Sequence, residues 1–166
     1  MTETDIAPAS TEAVSLREVT AATVRAVCNL VVKPEQVRFV ASNAVSMAEA
    51  HFYPQAWFRA IYAGEAPVGF LMLWDEPEKP EYYLWRFMIA DQYQSQGFGR
   101  EALKLVVEYV RSRPNARELV LSYVLGDGGP RDFYARFGFL ETGEMEGAEV
   151  LMKLSLSEVG ALGGAA

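Results

Sequence analysis

The segment of this sequence best suited to chemistry is a short polar run that contains two glycines, Gln94-Ser95-Gln96-Gly97-Phe98-Gly99-Arg100. It lies between an apolar stretch that ends at about Ile89 and a strongly amphipathic one, so it predicts a strand-to-helix turn. The first amides of a helix have no partner within the helix, and the helix dipole places partial positive charge there. Because Gly97 and Gly99 have no side chains, a pyrophosphate could approach these amides, and Arg100 could add a charged contact.

Two better-known phosphate motifs do not fit this segment. No Gly-Lys-Ser/Thr follows it, as a P-loop requires. The dinucleotide fingerprint has three glycines and comes early in a parallel unit, which is not the pattern here. The alternative interpretation is a glycine-rich connection that only the chain geometry requires. The local pattern by itself leaves both interpretations open.

Composition narrows the classes of function. A chain of 166 residues predicts one domain with a full core. The net charge of -7 argues against a nucleic-acid partner, because phosphate binding needs a basic face, and it is compatible with a cationic substrate. The only cysteine, Cys28, permits no internal disulfide, and the only histidine, His51, has no companion for a metal site, so no metal is expected. Without a membrane-length apolar stretch or an apolar leader, we expect no membrane partner and a cytoplasmic location.

The elements that must position the glycine turn follow from hydrophobic periodicity. Upstream, we expect a strand at 14–19, a helix through about residue 31, and a second helix from Pro34 to about Ala50. The apolar face predicted for this second helix consists of Val37, Val40, Ala41, Ala44, Val45 and Ala48. The remaining predictions are strands at 57–62, 68–74, 82–89, 118–124, 139–145 and 150–156, and helices at 97–111 and 131–137.

This order of elements predicts an α/β (α+β) fold. We expect a twisted, mixed but largely antiparallel sheet of about six to seven strands, flanked by about four helices. The three strands at 57–89 should form an antiparallel meander. A single domain is expected over residues 13–157, with a disordered tail at 1–12 and a flexible tail at 158–166.

Two segments together resemble the GNAT superfamily of N-acetyltransferases. Gln94-x-x-Gly97-x-Gly99 is similar to that family's coenzyme A motif: Arg or Gln, two variable residues, Gly, one variable residue, then Gly or Ala. The run 132–139, Asp-Phe-Tyr-Ala-Arg-Phe-Gly-Phe, resembles its helix-to-strand segment, and the resemblance spans about residues 14–156. Looser similarity to bacterial diamine or polyamine acetyltransferases lies in Lys33-Pro34-Glu35-Gln36, in 82–89 and in 121–124.

The resemblance implies acetyl-coenzyme A as co-substrate and gives roles to particular residues. The backbone of the strand before the motif, splayed from its neighbour by a bulge, would pair with the pantetheine arm; these positions are Phe87, Met88 and Ile89. Amides from Gln94 through Arg100 would hold the pyrophosphate. Tyr134 would be the general acid that protonates the departing thiolate, or else an aromatic packed beside Phe137 and Phe139. Where many relatives have a cofactor-contacting asparagine, this chain has Asp127, a poor neighbour for phosphate.

The implied reaction is direct attack of a neutral amine on the acetyl carbonyl, polarised by a backbone N–H near Ile89. Because an alkylamine arrives protonated, a base is needed; the candidates are Glu81, Glu35, Tyr123 and His51. Carboxylates with aromatics suit a long cation, so a diamine or polyamine is the favoured acceptor, and the expected substrate-binding residues are Glu35, Glu81 and Glu149. Acetylation of a peptide N-terminus or lysine, a non-catalytic coenzyme A-binding module, and a homodimer through the apolar outer strands stay open.

Overall fold

Seven strands and four helices alternate along the part of the chain that the computed structural model describes, residues 12–156. The strands are β1 Val14–Arg17, β2 Ala56–Ala63, β3 Ala66–Glu76, β4 Glu81–Ile89, β5 Glu118–Val124, β6 Leu140–Glu146 and β7 Glu149–Ser155. The helices are α1 Val24–Cys28, α2 Asn43–Ala50, α3 Phe98–Arg111 and α4 Arg131–Phe137, with 3-10 turns at Pro34–Phe39 and Asp91–Tyr93. The tails expected at either end fall outside the described residues, apart from Glu12.

All seven strands belong to one sheet in the order β1-β2-β3-β4-β5-β7-β6. Every neighbouring pair is antiparallel except β4 and β5, which are parallel and are connected through α3. The prediction of a mixed, largely antiparallel sheet is therefore confirmed. The predicted meander is confirmed as β2-β3-β4.

Helices cover both faces of the sheet, because side chains alternate along the buried central strand β3. Leu71 and Leu73 point to the larger apolar cluster, which includes Leu103 and Val106 of α3. Phe70 and Met72 point the other way, into a smaller cluster with Val27 of α1. Packing on the larger cluster fixes α3, so that its first turn lies just beyond the end of β4.

The predicted helix from Pro34 to Ala50 is wrong as a single element. A 3-10 turn ends at Phe39, Val40 is extended with φ of -149°, and α2 begins only at Asn43. The hydroxyl of Ser42 accepts the Val45 amide at 3.2 Å and so caps a new helix.

Two smaller predictions fail in the same region. The expected apolar face does not form, since Val37 is 63% and Val45 48% exposed. The first helix ends at Cys28 instead of Val31, which is 61% exposed.

Candidate active site

A gap between β4 and β5 creates the main cleft of the molecule. These strands pair only at Tyr83 with Val120 and at Leu84 with Leu121. The register between β4 and β3 shifts at the next residue, so Trp85 has no partner on β3. Such a bulge bends a strand and increases its twist, and here it separates β4 from β5. Residues 87–89 consequently lie beyond the last β4–β5 pair, with no ladder partner on that side.

The glycine turn lies at the wide end of this gap. Gly97 has a φ of +87°, and α3 starts at Phe98, which is buried and anchors the turn. A Cβ at Gly97 would meet no atom within 4 Å, so the space in front of the first amides of α3 is open. The residues of the turn that line the cleft are Gln94, Ser95, Gly97, Phe98, Gly99 and Arg100.

The predicted contacts at either end of this turn are not all directed at the cleft. Gln94 uses its side-chain nitrogen to bond the Ile89 carbonyl at 3.0 Å and Gln36 Oε1 at 2.7 Å. The Gln96 amide nitrogen donates to the Gln92 carbonyl at 3.2 Å, and this residue does not line the cleft. Gln94 thus joins the turn to the 3-10 segment that forms the opposite wall.

Tyr134 of α4 is placed at the closed end of the splay and lines the cleft. Its ring packs edge-on against Phe133 and Phe139, with centroids 5.3 and 5.7 Å away, and the residue is 7% exposed. Burial raises the pKa of Tyr134 far above its ordinary value, and the nearby phenol of Tyr83 raises it further. The hydroxyl is therefore protonated at neutral pH, as a proton donor must be.

Facing Tyr134, polar side chains from three adjacent strands form a hydrogen-bonded chain. The Tyr83 hydroxyl on β4 bonds Ser122 Oγ on β5, which in turn donates to Glu149 Oε2 on β7. The Tyr83 oxygen also lies 3.4 Å from Glu146 Oε2. Burial is the main cause that raises the pKa of the Tyr83 phenol.

A group of three aromatic rings forms a second part of the cleft wall. Tyr53, Trp74 and Trp85 have mutual centroid distances of 5.7 to 6.1 Å. The Arg86 guanidinium lies 5.1 Å from the Trp85 ring and pairs with Glu49 at 3.2 Å. The three rings therefore already lie beside one cation, the Arg86 guanidinium, whose charge is neutralised by Glu49.

Two of the three acids predicted to bind substrate line the cleft. Glu81 and Glu149 line the cleft, whereas Glu35 is exposed and does not. The side chain of Asp127 also lies outside the cleft, and its carbonyl accepts Arg38 Nη2 at 3.2 Å.

The remaining base candidates have no free group in the cleft. Tyr123 lines the cleft, but its hydroxyl donates to Glu141 at 2.8 Å. His51 packs edge-on against Phe52 and does not line the cleft.

Several residues of the site carried no signal strong enough to be chosen from the sequence. Ser122 is the one small polar residue among mostly apolar neighbours in β5, and Tyr83 lies between buried Tyr82 and Leu84. Those local patterns could have indicated polar positions on one sheet face. Nothing in the sequence shows that β7 would lie against β5 and bring Glu149 to them.

The cleft as a whole holds about 2010 Å³ and passes from one helical layer to the other, because residues of α3 and α4 line it together with residues near α2. Within residues 12–156, no three His, Cys, Asp or Glu side chains are grouped so as to hold a metal ion. No helix in that range combines the length and the apolar character needed to span a membrane.

Most of the chain matches a known protein family. The model of a family described as "Acetyltransferase (GNAT) family" matches residues 22–139, and the chain belongs to this family. It is an N-acetyltransferase by that membership. A spermine/spermidine N(1)-acetyltransferase of Bacillus subtilis is 26% identical over 148 residues, covering 84% of this chain and 97% of the relative.

Solved structures show the same fold at lower identity. A spermidine N-acetyltransferase from Vibrio cholerae, in complex with CoA and spermine, has a TM-score of 0.66 at 16% identity, covering 87% of this chain and 96% of that one. The ribosomal-protein-S18-alanine N-acetyltransferase from Escherichia coli has a TM-score of 0.65 at 15% identity, covering 87% and 95%. Since these two enzymes act on different acceptors, the fold alone does not select the substrate.

Proposed function

We propose that this protein transfers the acetyl group of acetyl-coenzyme A to a primary amine of a small molecule, with a diamine or polyamine as the favoured acceptor. One observation carries the proposal: a single cleft between β4 and β5 contains an open helix start, a buried phenol, and a wall of carboxylates and aromatic rings. Each of these groups suits one portion of the two substrates.

The donor side fits a diphosphate on an extended arm. Space in front of Gly97 is open, and unpaired amides with partial positive charge begin α3 there. The edge of β4 at Phe87, Met88 and Ile89 has no strand beside it. Apart from the Ile89 carbonyl, which accepts Gln94, its backbone groups on that side can pair with an extended ligand as a further strand would. Ser95 and Arg100 lie beside the same opening and would complete the phosphate contacts.

The chemistry assigned to Tyr134 is protonation of the departing sulfur. A neutral amine forms the new N–C bond, the C–S bond breaks, and Tyr134 gives its proton to the thiolate. Tyr134 recovers a proton from the nitrogen, which must lose one on becoming an amide. The raised pKa of the buried phenol keeps that proton in place until the sulfur departs.

The acceptor side favours a molecule with more than one positive charge. Glu146 and Glu149 lie beside Tyr83 and Ser122 in the cleft, while the three rings and Glu81 form another part of the cleft wall. One ammonium group at the carboxylates and another against the rings would hold a flexible diamine in place. The named activity of the Bacillus relative, which acts on spermine and spermidine, supports this choice.

A peptide acceptor is the second candidate, because the Escherichia coli enzyme with this fold is named for an alanine of ribosomal protein S18. A peptide would need an open groove between the 3-10 segment and the loop after β5. Here Arg38 reaches across to the Asp127 carbonyl at 3.2 Å and narrows that groove. The contact favours a small acceptor.

The test combines binding with turnover. Calorimetry should detect coenzyme A binding to the purified protein, and mixing with acetyl-coenzyme A should release thiol when spermidine, putrescine or another small amine is added. Faster release with an alanine-terminated peptide than with any amine would select the second candidate. Coenzyme A binding without thiol release from any acceptor would leave a non-catalytic binding module.

The role of Tyr134 is tested by Tyr134→Phe. Loss of a general acid should lower kcat by about 100-fold or more while coenzyme A affinity stays nearly constant. Tyr109→Phe is the matched control, since it removes a hydroxyl that bonds Asp75 away from the cleft. Equal turnover in Tyr134→Phe and the native protein would remove the assigned role.

A further inference from the structure

The proposed function leaves one proton without a destination. An alkylamine has a pKa near 10.4, so it enters the cleft as an ammonium ion that cannot attack a carbonyl. A group in the cleft must take that proton before the N–C bond forms. The following inference rests on the proposed function and concerns which group this is.

The direction of the hydrogen-bonded chain follows from counting protons. Ser122 has one hydroxyl hydrogen and donates it to Glu149, so its oxygen can only accept from Tyr83. Tyr83 also has one hydrogen. Its other acceptor, Glu146 Oε2, is 3.4 Å away, at the long limit of a hydrogen bond, so the hydrogen goes to Ser122 and leaves the phenol oxygen able to accept. Both hydrogens therefore point toward Glu149, and the acceptor end of the chain is at Tyr83, beside Tyr134.

We infer that Glu149 is the proton acceptor of the reaction, reached from the bound ammonium through Tyr83 and Ser122. The ammonium N–H bond breaks and its proton goes to the Tyr83 oxygen. The Tyr83 hydrogen passes to Ser122 Oγ, and the Ser122 hydrogen passes to Glu149. The products of this step are a neutral amine and a neutral Glu149 carboxyl group, which later returns the proton to water.

The surroundings of the chain suit a relay. Burial raises the pKa of Tyr83, so the phenol stays neutral and conducts a proton without storing charge. The titratable groups that interact with Tyr83 are Glu149 at the end of the chain, Glu146 on β6 and Tyr134 on α4. Other charged groups that line the cleft are Glu81, Arg86, Glu118, Arg136, Arg38 and Arg100.

Ser122→Ala provides the decisive experiment, because it breaks the relay and removes no charge from the cleft. In the native protein, kcat/KM should be nearly level between about pH 7 and pH 9, since bound ammonium is deprotonated internally. In Ser122→Ala it should fall about 100-fold at pH 7 and rise roughly tenfold per pH unit, because only amine that is already neutral can react. Tyr83→Phe and Glu149→Gln should show the same slope.

Equilibrium measurements separate the relay from a structural defect. Calorimetric affinity for the best amine of the panel, measured on the coenzyme A complex, and the thermal midpoint should be nearly the same in Ser122→Ala and the native protein. Glu144→Gln is the matched control: it lies on the same hairpin, is exposed and does not line the cleft, so its pH profile should be native.

The possible failures point to different assumptions. A native protein that releases no thiol with any amine contradicts the proposed function, and the relay with it. An active native protein whose Ser122→Ala variant keeps a level profile overturns the relay alone. Loss of amine affinity in Ser122→Ala, with an unchanged profile, would show that the hydroxyl only shapes the binding site and would also overturn the relay.

Discussion

The two edges of β4 are held in opposite ways. Toward β3 the strand is paired at eight positions from Glu81 to Ile89, interrupted only at Trp85. Toward β5 it is paired at two. The residues are the same on both edges, so intrinsic strand propensity cannot account for the difference. The difference comes from the bulge in β4 and from the identity of the neighbouring strand.

This contrast shows how a sheet can keep an open edge in its interior. Unpaired strand edges ordinarily invite pairing with another chain. Here the open edge is flanked by helices on both faces, and Leu84 and Met88 are buried in the two apolar clusters. The closed edge and the buried side chains hold β4 in place, so its free backbone groups remain accessible to a ligand.

The closed edge should be the more sensitive of the two to substitution. A Cβ at Gly69 of β3 would lie 2.3 Å from the Met88 carbonyl oxygen and 2.9 Å from Ile89 Cδ1. Gly69→Val must push β3 and β4 apart, so we expect the free energy of unfolding to fall by about 3 kcal/mol or more. Urea denaturation measures this change. An unchanged midpoint would contradict the expectation that the β3–β4 pairing cannot shift to admit a side chain.

The open edge should respond in binding as well as in stability. Gly97→Ala places a methyl group in the open space before α3. It should lower the free energy of unfolding by about 1–2 kcal/mol, because φ at this position is +87°. We expect coenzyme A affinity, measured by calorimetry, to fall at least about tenfold, which is about 1.4 kcal/mol.

Gly99→Ala is the matched control on the same turn. Its Cβ would meet Phe133 and Ile89 at 3.4 and 3.5 Å, which is ordinary contact, and helical alanine gains about 0.5–1 kcal/mol over glycine. Equal losses of affinity in Gly97→Ala and Gly99→Ala would argue against a specific approach at Gly97.

The smallest expected effect concerns alkaline pH and compares one tyrosine from each region. Tyr109, stacked on Trp57 of the meander, has a pKa raised to about 12 by burial and by Asp75, and burial also raises the pKa of Tyr134 at the cleft. An unfolded tyrosine loses its proton near pH 10. Stability should therefore be constant below about pH 9 and fall as pH rises through the folded-state values, by on the order of 1 kcal/mol per pH unit.

Tyr109→Phe and Tyr134→Phe separate the two contributions to this alkaline decline. Each substitution removes one group that stays protonated only in the folded state, so each should make the decline shallower in urea titrations. A decline in both variants as steep as that of the native protein would show that other tyrosines cause it.

Much of this arrangement could be read from the sequence, because it depends on neighbours along the chain. The strand at 118–124 and the helix at 131–137 have their predicted bounds, since turn residues and periodicity agree there. The glycine turn was located for the same reason. The break at Val40 was missed because the apolar spacing continues across it, and the capping hydroxyl of Ser42 determined the helix start instead.

The proposed relay could not be predicted, because its members meet only through the sheet order. Tyr83, Ser122 and Glu149 are far apart in sequence and become neighbours when β7 inserts between β5 and β6. Glu35 shows the opposite case. It stood next to a promising segment, but its 3-10 turn directs Gln36 to the cleft and leaves Glu35 in solvent.

The passage through the sheet has a consequence for the kinetic scheme. Because the cleft opens toward both helical layers, donor and acceptor can enter from separate sides and be present together. Among its lining residues within 12–156 there is no cysteine, and Cys28 lies elsewhere. The cleft therefore has no thiol that could form an acetyl-enzyme intermediate. Initial rates measured against both substrates should then form intersecting lines, as for a ternary complex, and not the parallel lines of a ping-pong scheme.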